Sequence, residues 1–214
     1  MKRAVGRRAP ARAEIKPKPR EVPTTGRDKL IHAGLKLFSE SGYDGTSVRQ
    51  LAAEADVSFG LIRKYFGSKE GLRDAIEEYV IGELQAFYSR SLPLDHRSPE
   101  AAAESAAEFF SQDNDVLLYL RFALLHPQKG TQKLIQRYFN MYQTLVSSLD
   151  EAGQLGEGVD RRWGAFLLMF MQLGPLVLEP FGEQLLGESM YSAKLLRERQ
   201  KAYIHMLTNP LLIS

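Results

Sequence analysis

Residues 46–72, TSVRQLAAEADVSFGLIRKYFGSKEGL, decide the fold, because they spell two short helices joined by a tight turn. Ser47 followed by Gln50 makes a capping box, which satisfies free N–H groups where a helix begins. Val48, Leu51, Ala52 and Ala55 recur on one side at helical spacing. Asp56 closes the turn and Ser58 is placed to cap the second helix, whose buried face is given by Ile62 and Phe66. The opposite face carries Phe59, Gly60, Arg63, Lys64 and Tyr65, an unusual mixture for ordinary solvated surface. A small helix with basic and aromatic residues, braced on a partner helix, suits a major groove. The stretch therefore predicts a helix-turn-helix.

Working outward, charge is unevenly spread. Residues 1–26 carry eight Lys/Arg against Glu14 and Glu21, a balance of +6, so the remainder of a chain totalling +2 sums to −4. This arm also holds Pro10, Pro17, Pro19 and Pro23 and almost no large apolar residue, a composition of disorder. It lacks the apolar run of a signal peptide. It suits an accessory contact to phosphates or a minor groove, and equally a solubilising extension. With 44% hydrophobic residues the chain has material for a substantial core, and with no cysteine it has no disulfide, thiolate metal site or cysteine nucleophile.

From Thr25 onward the pattern is helical. Leu30, Ile31, Leu35, Leu37 and Phe38 have amphipathic spacing, and Gly42 stands at an expected stop. Gly67-Ser68 restarts the chain as a helix from Lys69 to about Arg90. Pro93 and Pro99 bracket a loop at 92–99. Further helices are predicted at 100–112, 114–126, 131–152, 160–179 and 189–208, with breaks at His126-Pro127, Gly153–Gly158 and Pro180–Gly187. The apolar run Ala165–Leu178 is shorter than a bilayer needs and is interrupted by Gly174-Pro175, so a buried helix is expected and no membrane span. Sustained period-two alternation is absent. The expected architecture is all-α: a basic arm (1–24), a three-helix helix-turn-helix module (25–85) and a C-terminal helical ligand-binding and dimerisation bundle (86–214).

Residues 30–72 resemble the TetR (tetracycline-repressor-type) family of bacterial regulators. The likeness runs through LIHAGLKLFSESGYDGTSVRQLAAEADVS, a recognition helix ending in Tyr-Phe, and GSKEGL. It implies a cytoplasmic homodimer whose two heads bind a near-palindromic double-stranded operator, usually as a repressor. It also implies a small-molecule pocket in the C-terminal bundle, whose aromatic and methionine residues suit a small apolar or aromatic effector.

The DNA-binding set expected on this basis is Ser47, Arg49, Ser58, Phe59, Gly60, Leu61, Arg63, Lys64, Tyr65 and Lys69. Arg49 can aim its planar fork at a guanine edge, and Phe59 and Leu61 can meet thymine methyls. Gly60 costs helix stability, which suggests close approach of backbone to DNA. Arg63 stands where the family most often has tyrosine, offering a charged bidentate donor instead. Tyr65 matches a family position that typically meets the backbone phosphates. Lys69 opposes the helix dipole unless an anion sits beside it. Asp56 stands where the family commonly has glycine, and aspartate enters the left-handed region at modest cost. Val57, Ile62, Phe66, Phe38 and Tyr43 belong to the module core.

In the bundle, Tyr119, Phe122, Tyr138, Met141, Tyr142, Trp163, Phe166 and Phe170 are the candidate pocket, a reading that leans on the family, since such stripes also make plain core. The 160–179 helix is apolar nearly all round. With the seam Ala193, Leu196, Tyr203 and Leu207 of the last helix it is expected to pack on its symmetry mate.

Nothing points to an enzyme, a metal or a cofactor. His32, His96, His126 and His205 are scattered, GSKEGL lacks the Gly-x4-Gly-Lys-Ser/Thr pattern, and Glu77-Glu78 read as a solvated pair. Two other functions share these residues: a DNA-binding regulator without a ligand, and a small-molecule-binding helical protein whose DNA binding is lost.

Overall fold

The structure is a computed structural model that describes residues 25–91, 104–106, 109–110, 115–127, 129–153, 155–156 and 158–208. The basic arm (1–24), the 92–99 loop and most of the helix expected over 100–112 lie outside the described residues. All regular structure among the described residues is helical.

Helix α1 (Gly26–Gly45) starts where Thr25 accepts the Asp28 amide in its side-chain oxygen, 3.1 Å away. Leu30, Ile31, Gly34, Leu35 and Phe38 form its buried face. Gly42, at φ 73°, breaks the helical geometry before the chain leaves at Thr46, so the expected stop appears as a kink. The buried Thr46 hydroxyl donates to the Gly42 carbonyl at 2.8 Å, holding that corner.

Helix α2 (Val48–Glu54) opens on the predicted capping box, with both halves formed between Ser47 and Gln50. It ends in a Schellman closure. Val57 N–H bonds Ala52 C=O and Asp56 N–H bonds Ala53 C=O, which requires the left-handed φ of 50° that Asp56 adopts. Helix α3 (Gly60–Phe66) begins later than expected. Phe59 occupies the N-cap position without a side-chain bond, so Ser58 is not the cap; it offers its carbonyl to the Leu61 amide. Gly67, at φ 75°, stops α3, and Ser68 caps α4 (Lys69–Ser91) by accepting the Gly71 amide. A Cβ on Gly71 would stand 2.0 Å from the Phe66 carbonyl oxygen, so this corner admits only glycine.

Leu72, Ile76, Val80, Ile81, Leu84 and Phe87 line the buried side of α4. It packs on α1, where Gly34 leaves room for Ile76. Helix α4 runs across the boundary expected near residue 85, and a single core extends from Leu30 to Tyr203. Helices α5 (Asp115–Leu125), α6 (Lys129–Glu151), α7 (Arg161–Leu186) and α8 (Ala193–Thr208) complete the described bundle. Helix α5 lies between α1 and α7, and α6 between α4 and α7.

Helix α7 corrects the sequence reading most. Asp160 caps it by accepting the Arg162 and Trp163 amides, and it then continues through Pro175 and Pro180 to a left-handed Gly187. The prolines remove the N–H partners of the Met171 and Leu176 carbonyls, yet packing of Leu168, Leu173 and Leu176 carries the helix on. Its 26 residues are long and apolar enough to cross a membrane by length and composition, which the broken run had been expected to preclude. One side is buried within the subunit. The other exposes Trp163 (62%), Phe166, Leu167, Phe170 (60%), Val177, Leu178, Phe181 and Leu185.

Candidate nucleic-acid interface

Ile62 is the fully buried residue of α3 and fixes the helix to the module core. Its neighbours are thereby turned outward. Phe59 is 69% exposed, and Gly60, Arg63, Lys64 and Tyr65 are exposed beside it. Arg49 and Ser58 are exposed as well, so α2 and the turn contribute to the same surface. Between α3 and the start of α4 lies a concavity of about 480 Å³, lined in part by Phe59, Arg63, Lys64 and Lys69. The exposed cations Arg63 and Lys64 and an apolar ring thus border one open hollow. That is the chemistry of a phosphate-and-base contact surface.

Other residues of the expected set have work inside the module. Ser47 spends its hydroxyl on the α2 cap. Leu61 is half-buried and leans on the start of α1, where a Cβ on Gly26 would lie 3.3 Å from its Cδ1. The Tyr65 ring approaches the same glycine, and the Lys64 ammonium stands 5.7 Å from that ring's centroid.

Lys69 departs furthest from expectation. Its ammonium donates to the Tyr43 carbonyl and lies 4.1 Å from the Tyr43 ring centroid, while the Arg73 guanidinium stands 4.7 Å from the same ring. Partial burial lowers the Lys69 pKa, and the nearby Arg73 charge adds to that against the pull of Asp44. The group that receives the ammonium is here a backbone carbonyl rather than an anion. Sequence reasoning also missed Arg27, exposed on the first turn of α1 with its guanidinium 5.5 Å from the Phe66 ring. No local pattern places it beside the recognition helix; only the fold does.

The eight bundle residues do not surround one cavity. Tyr138 and Tyr142 are buried and hydrogen-bond each other and Tyr88, with Tyr88–Tyr138 at 2.6 Å and Tyr138–Tyr142 at 3.2 Å. Met141 packs half-buried near them. Tyr119 is buried elsewhere, facing Glu77 and Arg73, and Phe122 covers Gly42. Trp163, Phe166 and Phe170 point outward from α7, because aromatic composition does not say which side of a helix faces in. Of the seam expected on the last helix, Leu196 and Tyr203 are buried in their own subunit.

Glu77 is a further correction. It is 5% exposed rather than solvated, with Arg73 Nε 3.9 Å from its Oε1 and neither atom hydrogen-bonded. Burial pushes its carboxyl up to about 7; Asp74 adds to the rise, and Arg73, Lys133 and Arg137 oppose it. Glu78, its neighbour, is exposed and paired with Arg137.

Residues 30–76 match the family described as bacterial regulatory proteins, tetR family. The "Probable HTH-type transcriptional regulator YttP" of Bacillus subtilis (strain 168) is 31% identical over 126 residues, 58% of this chain and 55% of that protein. The chain thus spans little more than half the length of that curated relative. Among solved structures, the fatty acid degradation regulator FadR from Bacillus halodurans superposes with a TM-score of 0.65 at 16% identity, covering 86% of this chain and 99% of its own. FadR from Bacillus subtilis in complex with stearoyl-CoA gives 0.57 at 17% identity, over 86% and 98%. At those identities the structures establish the shared all-α fold, and the head sequence carries the kinship. Through residues 30–76 the chain is similar to the tetR family of bacterial regulatory proteins.

Proposed function

We propose that the chain is a homodimeric transcriptional repressor that binds a near-palindromic double-stranded operator and releases it on binding a small effector. The observation that carries this reading is the outward face of α3, where Phe59, Gly60, Arg63 and Lys64 stand exposed around an open hollow while Ile62 anchors the helix. In this reading α3 enters the major groove with Arg49, Phe59, Gly60 and Arg63 at base edges. Lys64, Tyr65 and Arg27 reach phosphates, which position without specifying sequence. Lys69 acts through Tyr43, stiffening the corner from which α3 projects. Two heads on one dimer span half-sites about one helical turn apart or more.

The exposed apolar side of α7 supports dimerisation, since a contiguous patch of this kind marks an interaction surface. An isologous pairing of α7 with its mate covers it and accounts for its length without a bilayer. A cytoplasmic location follows from the operator. The fold shared with a regulator in complex with stearoyl-CoA supports an effector with a substantial apolar part.

Selection of bound sequences from a random DNA pool tests the reading. An inverted repeat, with affinity reduced at least tenfold by Arg63→Ala, is the expected outcome. Enrichment of no sequence, or indifference to Arg63→Ala, overturns the head assignment.

A further inference from the structure

Helix α8 buries a charge that the subunit leaves unanswered. Both terminal nitrogens of Arg199, Nη1 and Nη2, are closed off from solvent and have no hydrogen-bond partner. The guanidinium lies 4.6 Å from the Phe110 ring centroid, a contact that offsets only part of the cost of dehydrating it. Glu179, which acts with Arg199 on Tyr191, is committed to Arg121 at 3.0 Å. Burial lowers the Arg199 pKa, and Tyr191 is the ionisable group that opposes this.

One turn further along α8, Tyr203 repeats the pattern. It is 5% exposed and its hydroxyl is also unpartnered. The nearby Gln172 side chain restrains the rise of its pKa but stands outside hydrogen-bonding geometry. Tyr138 and Tyr142 feel the Tyr203 phenol, yet spend their own hydroxyls on each other and on Tyr88. The interior therefore holds a fork of guanidinium donors and a phenol with nothing to receive them. Phe87, Phe109 and Phe110 form a stacked apolar cluster alongside.

We propose that Arg199 and Tyr203 form the anchor for the carboxylate of an amphipathic monoanionic effector, a fatty or aryl-alkyl acid whose apolar part lies against the phenylalanine cluster. A carboxylate offers two acceptors in the geometry of the guanidinium fork and one negative charge for one buried positive charge. An uncharged apolar ligand leaves both groups as they are. This rests on the effector-responsive reading above and assigns the chemical class of the effector.

The test uses the full chain with decanoate and 4-phenylbutanoate, each beside its methyl ester, read by thermal shift and calorimetric titration. The acids are expected to raise Tm and bind, the esters to bind at least tenfold more weakly, and Arg199→Met to remove that preference. Arg199→Met should also melt higher than wild type without ligand, because it deletes an unpaired buried charge. Tyr203→Phe, which removes one oxygen, should weaken the acids alone and serves if Arg199→Met does not fold. Equal binding of acids and esters overturns the anchor while keeping an effector. Binding of neither overturns both, and operator binding that persists in the same sample then leaves the DNA-binding head intact.

Discussion

Gly42 and Phe122 touch where the reading head meets the bundle: a Cβ on Gly42 would stand 3.0 Å from Phe122 Cζ, with the glycine at φ 73°. The kink that ends the useful part of α1 is thus also the seat for an aromatic ring of α5. Replacing Gly42 by alanine adds a left-handed penalty to a close contact. Gly42→Ala is expected to cost about 1–3 kcal/mol in urea unfolding. A loss below about 0.5 kcal/mol would show that the ring gives way freely.

Asp56 holds the left-handed position of the α2 closure, where glycine pays no Cβ penalty. Asp56→Gly should raise stability by about 0.5–1 kcal/mol and remove a negative charge beside the proposed DNA-facing surface. Operator affinity should rise with it, more at low salt than at high salt. Unchanged stability would mean the aspartate makes compensating contacts.

Glu77 gives the fold a pH dependence with a definite sign. Its folded pKa of about 7 lies above the ordinary 4.5, so the folded state holds the proton more tightly than the unfolded chain. Stability contributed by the protonated carboxyl is complete below about 4.5 and is lost as pH rises through about 7. Arg73 and Asp74 on α4, Lys133 and Arg137 on α6 and Tyr119 on α5 surround it, and the rise that results in their presence corresponds to a loss of about 3 kcal/mol. Glu77→Gln should flatten denaturation midpoints between pH 5 and 7.5. A slope equal to wild type would assign it to other groups.

Phe170 stands at the middle of the exposed side of α7. Phe170→Glu should convert a dimer to a monomer in sedimentation velocity, keep the helical circular dichroism, and weaken operator binding by orders of magnitude. A wild-type protein that sediments as a monomer at micromolar concentration would remove the basis for the paired heads.

The head was legible because its signals are local. Ser47 and Gln50 sit three residues apart and need no distant partner, and the Schellman turn is written in residues 52–57. Elsewhere the deciding forces are tertiary. Pro180 reads as a stop and Pro175 as a break in the apolar run, yet burial of the α7 stripe outweighs the lost backbone bonds. Lys69 reads as a phosphate contact until Tyr43, 26 residues earlier, is folded beneath it. Some misses had a signal: Glu77 falls between Ile76 and Val80 on the apolar side of α4. Arg199 sits between Leu196 and Tyr203, at spacings of three and four. Both were hidden by the assumption that a charge faces water.

The uncovered side of α7 has a bearing on how much of this protein a cell can hold. If folding is completed only by pairing, stability grows with the number of copies present, and a lone newly made chain is the form that proteases remove. Abundance would then fall faster than synthesis when expression drops, and derepression would be sharper than operator affinity alone dictates.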